Sequence, residues 1–237
     1  MRKTGLVVAM KAVILDGGFG KRLGPLTEDM PKALIEVGGK PVIHWQIKWL
    51  SALGINEFVV LAGYKADKLI NYIKSAGYSD KFKFSIEDEP LGTAGALKRA
   101  SNLLQDQERF LLIYGDNITN VNANLLHLDG NEICCLALMP YRSHAGIAKI
   151  GGSKIISFEE KPTISDHWIN GGVILASTRL FELLPVKGSL ETEVLPRLAG
   201  EGKLSCVTFS DSYLKGIDTL KRLEEVDADI RSGTFKI

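Results

Sequence analysis

The sequence predicts an α/β fold in which a central, mostly parallel mixed sheet is flanked by helices. Apolar runs of strand length alternate with helical patterns through the first half of the chain, as is typical of a parallel sheet with helices on both faces. Strand-like runs lie closer together in the second half, which favours an antiparallel or mixed extension of the sheet. A chain of 237 residues, 45% of them hydrophobic and 24% charged, can bury a large core.

The first half of the chain shows the alternation most clearly. Its first strand is a short apolar run, and the segment after the next loop begins with Pro41, a residue favoured in the first turn of a helix. That helix ends near Gly54. The predicted strands are residues 11–15, 57–61, 81–86 and 110–114, and the predicted helices are residues 41–54, 65–76 and 93–104.

The second half of the chain is less regular. Its strand-like runs follow one another closely, and no composition shift marks a linker between domains. We therefore expect residues 1–237 to form a single domain. The predicted strands are residues 133–139, 147–150, 154–158 and 168–175, and the predicted helices are residues 177–184, 189–199 and 219–231.

The composition argues against several classes of function. A net charge of +1 gives no general affinity for nucleic acid or for a membrane surface, so an anion must be recognised by a local cluster. No segment approaches the roughly 18 apolar residues of a membrane span, and the N-terminus lacks the apolar core of a signal peptide. We expect a cytoplasmic protein, with Cys134, Cys135 and Cys206 as buried small hydrophobic residues. The oligomeric state stays open, and a homo-oligomer is compatible with the sequence.

A glycine-rich turn with cationic residues directly follows the first strand. Gly17, Gly18 and Gly20 allow a sharp turn that brings backbone N–H groups close to anionic oxygens. Arg22 and Lys32 add full positive charge. This combination predicts a site for a triphosphate.

The turn differs from two better-known phosphate-binding loops. The dinucleotide fingerprint Gly-x-Gly-x-x-Gly would begin at Gly18, but Leu23 stands where its third glycine belongs. The P-loop of nucleoside triphosphatases needs Ser or Thr after Gly-Lys, and Arg22 follows Lys21 here. The sequence therefore matches neither of these two loops.

The segment from Gly17 to Thr27, followed by Pro31-Lys32, resembles the signature of the sugar-1-phosphate nucleotidylyltransferases, Gly-Gly-x-Gly-Thr-Arg-Leu-x-Pro-Leu-Thr and then Pro-Lys-Pro. Gly-Asp at residues 115–116, Glu-Pro-Leu-Gly-Thr-Ala-Gly at residues 89–95, Glu-Lys-Pro at residues 160–162 and Asn-Gly-Gly at residues 170–172 match further elements of that family in order. The resemblance implies a Rossmann-like nucleotidyltransferase fold with a nucleotide-binding half, residues 10–120, and a sugar-binding half, residues 121–237. It also implies that this chain has no room for the C-terminal β-helix of many relatives.

The resemblance implies a role for each matching residue. Arg22, Lys32 and Lys161 would be the catalytic cations that hold the phosphates, although a lysine beside glutamates is more often a solvated surface pair. The implied nucleotide-binding residues are Leu15, Gly17, Gly18, Gly20, Lys21, Glu89, Gly92 and Thr93, with Thr93 as a helix N-cap. The implied sugar-binding residues are Gly95, Asn117, Glu160, Asn170 and Gly171.

Two aspartates are the candidate ligands of Mg²⁺. Asp116 follows the strand at residues 110–114, and Mg²⁺ favours one or two carboxylates together with phosphate oxygens and water. The alternative is a turn aspartate that caps a helix. Gly216 occupies the position of the family's usual second metal ligand, and Asp218 lies two residues later. Related cytidylyltransferases also place an Asp just before the Thr, as Asp218 is here. The alternative for Asp218 is a cap on the last helix.

The chain departs from the family pattern at the phosphate turn. Asp16 replaces the usual Ala or Ser and puts a carboxyl group near the nucleotide anions, and Lys21 replaces Thr. The change at Asp16 bears on which nucleotide is bound.

The resulting hypothesis is a Mg²⁺-dependent enzyme that forms an NDP-sugar and pyrophosphate from an NTP and a sugar 1-phosphate. The segment at residues 89–95 is most similar to mannose-1-phosphate guanylyltransferases and their heptose-specific relatives, which favours GTP with mannose 1-phosphate or a related sugar. The alternatives are a thymidylyl- or uridylyltransferase acting on glucose 1-phosphate, a catalytically silent homologue that binds an NDP-sugar, and a glycosyltransferase of similar fold.

Overall fold

The computed structural model describes residues 10–18 and 20–237, with Lys21 described by its backbone only. Its strands are β1 (Lys11–Asp16), β2 (Glu36–Val37), β3 (Lys40–Pro41), β4 (Glu57–Ala62), β5 (Phe82–Ile86), β6 (Arg109–Tyr114), β7 (Asn117–Thr119), β8 (Cys134–Arg142), β9 (Ile147–Gly151), β10 (Lys154–Glu159), β11 (Thr163–Ser177), β12 (Leu204–Thr208) and β13 (Leu214–Gly216). Its α-helices are α1 (Val42–Ala52), α2 (Ala66–Ser75), α3 (Gly92–Arg99), α4 (Leu195–Gly200) and α5 (Leu220–Ser232).

The central sheet has seven strands in the order β12-β8-β11-β6-β1-β4-β5. Strand β1 runs parallel to β4 and β6, β5 runs parallel to β4, and β12 runs parallel to β8. Strand β11 is antiparallel to both of its neighbours, β6 and β8. The predicted mostly parallel mixed sheet is therefore confirmed.

Side chains on β1 alternate between the two faces of the sheet. Ala12 and Ile14 belong to a buried cluster that includes residues of α1 and α2, whereas Val13 belongs to a second cluster that includes residues of α3 and α4. Both clusters also contain residues of β8 and β11, so the first and second halves of the chain share both cores. Because helices cover both faces of β1, the four residues between Lys11 and Asp16 are all apolar.

The helices show how local sequence sets their ends. Helix α2 buries Ala66, Leu69 and Ile73, which lie on one face. Helix α5 begins after Thr219, whose side chain accepts a hydrogen bond from the Arg222 N–H, and ends at Gly233 in the left-handed conformation. These are the residue types expected at helix ends.

Several predictions of local structure need correction. Thr93 is not an N-cap, because α3 begins at Gly92 and Leu91 precedes it without a capping side chain. The helix predicted at residues 177–184 is a short 3-10 helix, Thr178–Glu182, and the one at residues 189–199 begins as a π-helical turn, Leu190–Val194, before α4. Cys134 and Cys135 are buried as predicted, but Cys206 is exposed because it lies on the edge strand β12.

Strands β9 and β10 form a separate hairpin whose residues are exposed on both faces. Ile150 is 74% exposed, Ile156 71% and Phe158 61%. A two-stranded hairpin has little stability of its own, so this arm depends on its connections to β8 and β11. Among the helices of the described residues, none is long and apolar enough to cross a membrane.

Candidate active site

A cavity of about 310 Å³ opens at the carboxyl ends of β1 and β6. This edge is where ligands bind in open α/β sheets. We call it the central cavity. Its lining residues are Leu15, Asp16, Gly17, Gly18, Lys32, Glu87, Pro90, Gly92, Thr93, Ala96, Tyr114, Asp116 and Glu191.

Lys32 and Asp116 form an ion pair in the central cavity. Lys32 begins the 3-10 helix Lys32–Leu34, and its Nζ lies 2.7 Å from Asp116 Oδ2. Both side chains are mostly shielded, at 17% and 26% exposed, so solvent screens this pair less than a surface pair. Asp116 directly precedes β7, which excludes the alternative that it caps a helix.

A second ion pair joins Arg22 and Asp218 at 2.8 Å. Arg22 is 72% exposed, and Asp218 lies beyond β13, which pairs with β7 through Asn117 and Gly216. The Ile217 N–H also donates to the Asp116 carbonyl at 2.8 Å, so the two aspartates lie at the same end of this strand pair. Thr219, not Asp218, caps α5, and the helix-cap alternative for Asp218 is therefore wrong.

Asp16 lies in the central cavity but is buried, with an exposed fraction of 5%. One carboxyl oxygen accepts a hydrogen bond from the Ala33 N–H, whereas Oδ2 has no hydrogen-bond partner among the described residues. Burial, reinforced by the charge of Asp116, raises the pKa of Asp16 to about 8 although Lys32 and the Ala33 N–H oppose the shift. Asp16 is therefore mostly neutral at pH 7 in the absence of a bound metal ion.

The glycine turn depends on the small size and backbone freedom of its glycines and on a side-chain hydrogen bond from Thr27. Gly20 has a φ of +63°, which favours glycine, and the Thr27 hydroxyl donates to its carbonyl at 3.0 Å. A Cβ at Gly17 would lie 2.6 Å from Glu87 Oε1, so glycine makes room for that carboxyl group. Gly18 lines the central cavity and has no neighbour within 4 Å of a Cβ built there. The side chain of Lys21 lies outside the described residues.

The segment at residues 87–95 packs against the loop before the π-helical turn. Gly92, with a φ of +75°, and Gly95 have no side chains and so allow close approach to the Gly188 and Val186 carbonyls. Glu89 is exposed and lies 3.7 Å from Lys187, at the rim of the segment. The two glycines therefore serve packing, and of the two only Gly92 also lines the central cavity.

Glu87 links this segment to the glycine turn. Its Oε2 accepts a hydrogen bond from the Leu91 N–H at 3.1 Å, and its Oε1 points toward Gly17 and Gly63. Burial raises the pKa of Glu87, partly offset by the Leu91 hydrogen bond. Glu87 lies two residues before the motif at residues 89–95, and the sequence alone assigned it no role.

Tyr114 and Glu191 form a polar network that the sequence analysis missed. The Tyr114 hydroxyl donates to Glu191 Oε1 at 2.5 Å, and the Thr93 hydroxyl donates to Oε2 at 2.7 Å. Burial raises the pKa of Glu191, but these hydrogen bonds outweigh burial and leave it below its ordinary value. The Asn170 amide donates to the Tyr114 hydroxyl at 3.2 Å. The strand-end position of Tyr114 was a signal, whereas nothing in the sequence marked Glu191.

Asn117 and Gly171 contact each other rather than the central cavity. Asn117 is buried, and its amide donates to the Gly171 carbonyl at 3.0 Å. Gly171 itself has no room for a side chain beside the Ala137 carbonyl. This contact joins β7 to β11 and fixes Asn170 one residue earlier in the chain.

Glu160 and Lys161 lie outside the central cavity. Both are exposed, with Lys161 Nζ 3.7 Å from Glu160 Oε1. Lys161 lines a larger cavity of about 1250 Å³ beside α5, together with four other cations, Arg142, Lys215, Lys221 and Arg222. The structure therefore brings Lys32, Asp116, Thr93 and Asn170 toward one site, and places Lys161 in a neighbouring basic cavity.

The carboxylates fit a magnesium site of the kind that phosphate substrates complete. Within residues 10–18 and 20–237, no group of three or more His, Cys, Asp or Glu side chains is placed to enclose a metal ion. Mg²⁺ does not require such a group, because it retains waters and takes phosphate oxygens as ligands beside one or two carboxylates. Asp116 in the cavity and Asp218 beside it meet that requirement.

Comparison with known proteins gives the class of the chain. It belongs to the nucleotidyl transferase family, whose pattern matches residues 11–231. It is 33% identical to a Bacillus subtilis (strain 168) protein named as a probable glucose-1-phosphate cytidylyltransferase, over 92% of this chain and 95% of that one. It is also 33% identical to the D-glycero-alpha-D-manno-heptose 1-phosphate guanylyltransferase of Aneurinibacillus thermoaerophilus, over 79% and 84% of the two chains.

Solved structures share the fold. HddC from Yersinia pseudotuberculosis superposes with a TM-score of 0.72 at 25% identity, covering 93% of this chain and 99% of that one. The inositol-1-phosphate CTP transferase from T. maritima superposes with a TM-score of 0.73 at 19% identity, covering 95% and 97%. The predicted nucleotidyltransferase fold is thus confirmed.

Proposed function

We propose that this protein is a sugar-1-phosphate nucleotidylyltransferase that forms an NDP-sugar and pyrophosphate with Mg²⁺ as cofactor. The observation that carries the proposal is the central cavity, which places a glycine turn, the Lys32–Asp116 pair and the Tyr114–Glu191 network at one sheet edge. The names of the relatives support the same reaction class.

The reaction needs no protein nucleophile, because the attacking sugar phosphate is already an anion. Its oxygen attacks the α-phosphorus in line, and pyrophosphate leaves. Catalysis then consists of positioning and charge stabilisation. When bound, Mg²⁺ supplies positive charge against the phosphate oxygens.

The two ion pairs define what the phosphates would meet. Lys32 would stabilise charge at the α-phosphate, while Arg22 and the N–H groups of Gly17, Gly18 and Gly20 would hold the β and γ phosphates. Each of these two cations is bonded to an aspartate, Lys32 to Asp116 and Arg22 to Asp218. Asp116 and Asp218, once released by their cations, would bind Mg²⁺. Lys32 and Arg22 would then be the partners of the phosphates, and Asp116 and Asp218 would hold the metal ion.

The sugar half of the reaction is assigned to residues 121–237 and the nucleotide half to residues 10–120. Asn170, bonded to the Tyr114 hydroxyl, would bind a sugar hydroxyl, and Thr93, bonded to Glu191, would act on the nucleotide side. Lys161 and Glu160 would act on the sugar phosphate from the basic cavity, which borders the same β11 strand. Within the segment at residues 89–95, Glu89 and Gly92 would act on the nucleotide and Gly95 on the sugar.

The base is proposed to carry an exocyclic amino group, with GTP as the first candidate and CTP as the second. The Glu87 carboxyl group lies between the glycine turn and the segment at residues 89–95 and offers an acceptor oxygen. Guanine and cytosine have amino donors, whereas uracil and thymine have none. The guanylyl- and cytidylyltransferase relatives support this preference, and mannose 1-phosphate or a manno-configured heptose phosphate is the sugar we propose first.

The experiment that tests the function measures pyrophosphate release from a panel of NTPs and sugar 1-phosphates. We expect release to require a divalent metal and to fall about 10²- to 10³-fold in Lys32→Ala, as for loss of one electrostatic contact in a transition state. The matched control is Lys68→Ala, an exposed lysine on α2. Binding of an NDP-sugar without any pyrophosphate release would instead identify a silent homologue and overturn the proposal.

A further inference from the structure

Asp16 combines three features that together point to a ligand. It lines the central cavity, only 5% of it is exposed, and its Oδ2 has no hydrogen-bond partner among the described residues. The Ala33 N–H acts on the carboxyl group as a hydrogen-bond donor and favours its charged form. A buried carboxyl oxygen without a partner costs free energy, which a ligand entering the cavity would offset.

The neighbours of Asp16 show on which side of the central cavity it lies. Asp16 shares a face of β1 with Ile14, whereas Leu15 between them packs on the opposite face with α3. Ala33, the donor to its carboxyl group, directly follows Lys32 in the chain, and a Cβ built at Gly115 would lie 3.1 Å from the Asp16 Cβ. Asp16 therefore belongs to the side of Lys32 and Asp116.

The neighbouring charges narrow the ligand further. A protonated Asp16 could donate to a phosphate oxygen, whereas an ionised Asp16 requires a cation as its partner. Lys32 is the cation whose charge acts on Asp16, and its ammonium is already bonded to Asp116. A divalent cation placed near Asp116 would supply charge to both aspartates at once.

We infer that Asp16 is a further acidic group of the divalent-cation site, and that its Oδ2 holds a water molecule of the ion's coordination shell. The inference rests on the proposed function for the presence of the metal ion. Contact through water agrees with the absence of a three-residue cage within the described residues, and with the waters that Mg²⁺ retains. Asp16 is thus a positioning residue, which acts on the reaction through the metal ion.

The test is Mn²⁺ binding in the presence of a non-hydrolysable analogue of the preferred NTP, measured by the electron paramagnetic resonance signal of the free ion, with the analogue alone as the blank. We expect the wild type to bind Mn²⁺, and Asp16→Asn and Asp16→Ala to bind it about 10- to 100-fold more weakly, the range for loss of a partner that orients a metal ligand. Weaker Mn²⁺ binding in Asp116→Asn would show that the ion binds in the central cavity. Asp80→Asn, at an exposed aspartate, is the matched control. A second readout is the rise in Tm on adding Mn²⁺, which should shrink in the Asp16 variants.

The outcomes separate this inference from the proposed function. The inference is wrong if the wild type binds no Mn²⁺, or if Asp16→Asn binds Mn²⁺ like the wild type while Asp116→Asn does not. In either case pyrophosphate release would still stand as evidence for the function. Misfolding is not a confounding explanation for weaker binding if the metal-free Asp16→Asn protein melts at or above the wild-type temperature.

Discussion

At the scale of single residues, the Asp16 carboxyl group changes its protonation between the unfolded and the folded chain. Its pKa is 3.8 in the unfolded chain and about 8 in the folded one, because burial disfavours the charge. Between these pH values the folded state binds one proton more than the unfolded state. The contribution of Asp16 to stability therefore falls as the pH rises from about 4 to about 8 and then levels off.

The first prediction follows from this proton. Asp16→Asn removes the titrating group, so its Tm in EDTA-containing buffer should exceed that of the wild type by a margin that grows from pH 4 to pH 8. The slope has an upper limit of about 1.4 kcal/mol per pH unit. Thermal melts at half-unit intervals of pH measure it, with Asp80→Asn as the control. A margin independent of pH would contradict the shifted pKa.

The second prediction concerns the base. Glu87→Gln replaces one acceptor oxygen by an amide donor, so the preference for an amino-bearing base should weaken. We expect the ratio of kcat/KM for GTP to kcat/KM for UTP to fall about tenfold, near the low end of what one good base contact contributes. Glu108→Gln, at an exposed glutamate, should leave the ratio unchanged. An unaltered ratio in Glu87→Gln would remove this residue from base selection.

Single residues also show the reach of sequence reasoning. Lys32 and Asp116 could be predicted because each stands in a motif with a known order, and the structure pairs them at 2.7 Å. Glu191 could not, because it meets Thr93 across 98 positions of sequence and lies in no motif. Asp16 stands out in the sequence as a departure from the family pattern. That its Oδ2 is buried without a partner, and that the Ala33 N–H acts on its carboxyl group, could not be deduced from composition and spacing.

At the scale of elements, the start of α5 separates a capping residue from a candidate ligand. Thr219 accepts a hydrogen bond from the Arg222 N–H, while the preceding Asp218 binds Arg22 at 2.8 Å. Two neighbouring positions therefore serve different purposes.

The third prediction uses this pair as its own control. Thr219→Ala should lower the free energy of unfolding by about 1 kcal/mol with little change in kcat, as for loss of a helix cap. Asp218→Ala should do the reverse and lower kcat about 10²-fold with a small change in stability. Tm and kcat measured on the same samples decide the matter. A destabilised but fully active Asp218→Ala would rule out a metal-binding role for this residue.

Elements also differ in how well their sequence marks them. Strands β1, β4 and β6 are buried on both faces, so their apolar runs identified them. Strand β12 lies at the sheet edge with partly exposed residues, and its sequence Leu-Ser-Cys-Val-Thr carries too weak a pattern to predict it. The short strands β7 and β13 gain their identity only from pairing with each other.

At the scale of the whole molecule, β11 connects the two halves of the chain. It lies between β6 of the first half and β8 of the second, and Leu175 on β11 packs in the same cluster as Trp49 of α1. Damage in one half should therefore be felt in the other.

The fourth prediction tests that coupling. Leu175→Ala should destabilise the protein by about 2–5 kcal/mol, as for a buried leucine. In a Trp45→Phe, Trp168→Phe background, where Trp49 is the remaining tryptophan, it should also lower the denaturant midpoint reported by fluorescence. The control is Leu125→Ala, at a side chain that is 54% exposed. If the tryptophan signal kept its wild-type midpoint in Leu175→Ala while far-UV circular dichroism shifted, the halves would unfold independently.

Strand β11, which runs antiparallel to both of its neighbours in the central sheet, has a consequence for synthesis on the ribosome. Strand β6 ends at Tyr114, and the strand that pairs with its free edge ends at Ser177, about 60 residues later. At about 5–20 residues per second, that edge stays unpaired for several seconds after β6 has been made. During this interval the nascent chain presents a buried strand's hydrogen-bonding groups to other chains, and its yield in the cell depends on how well that edge is shielded.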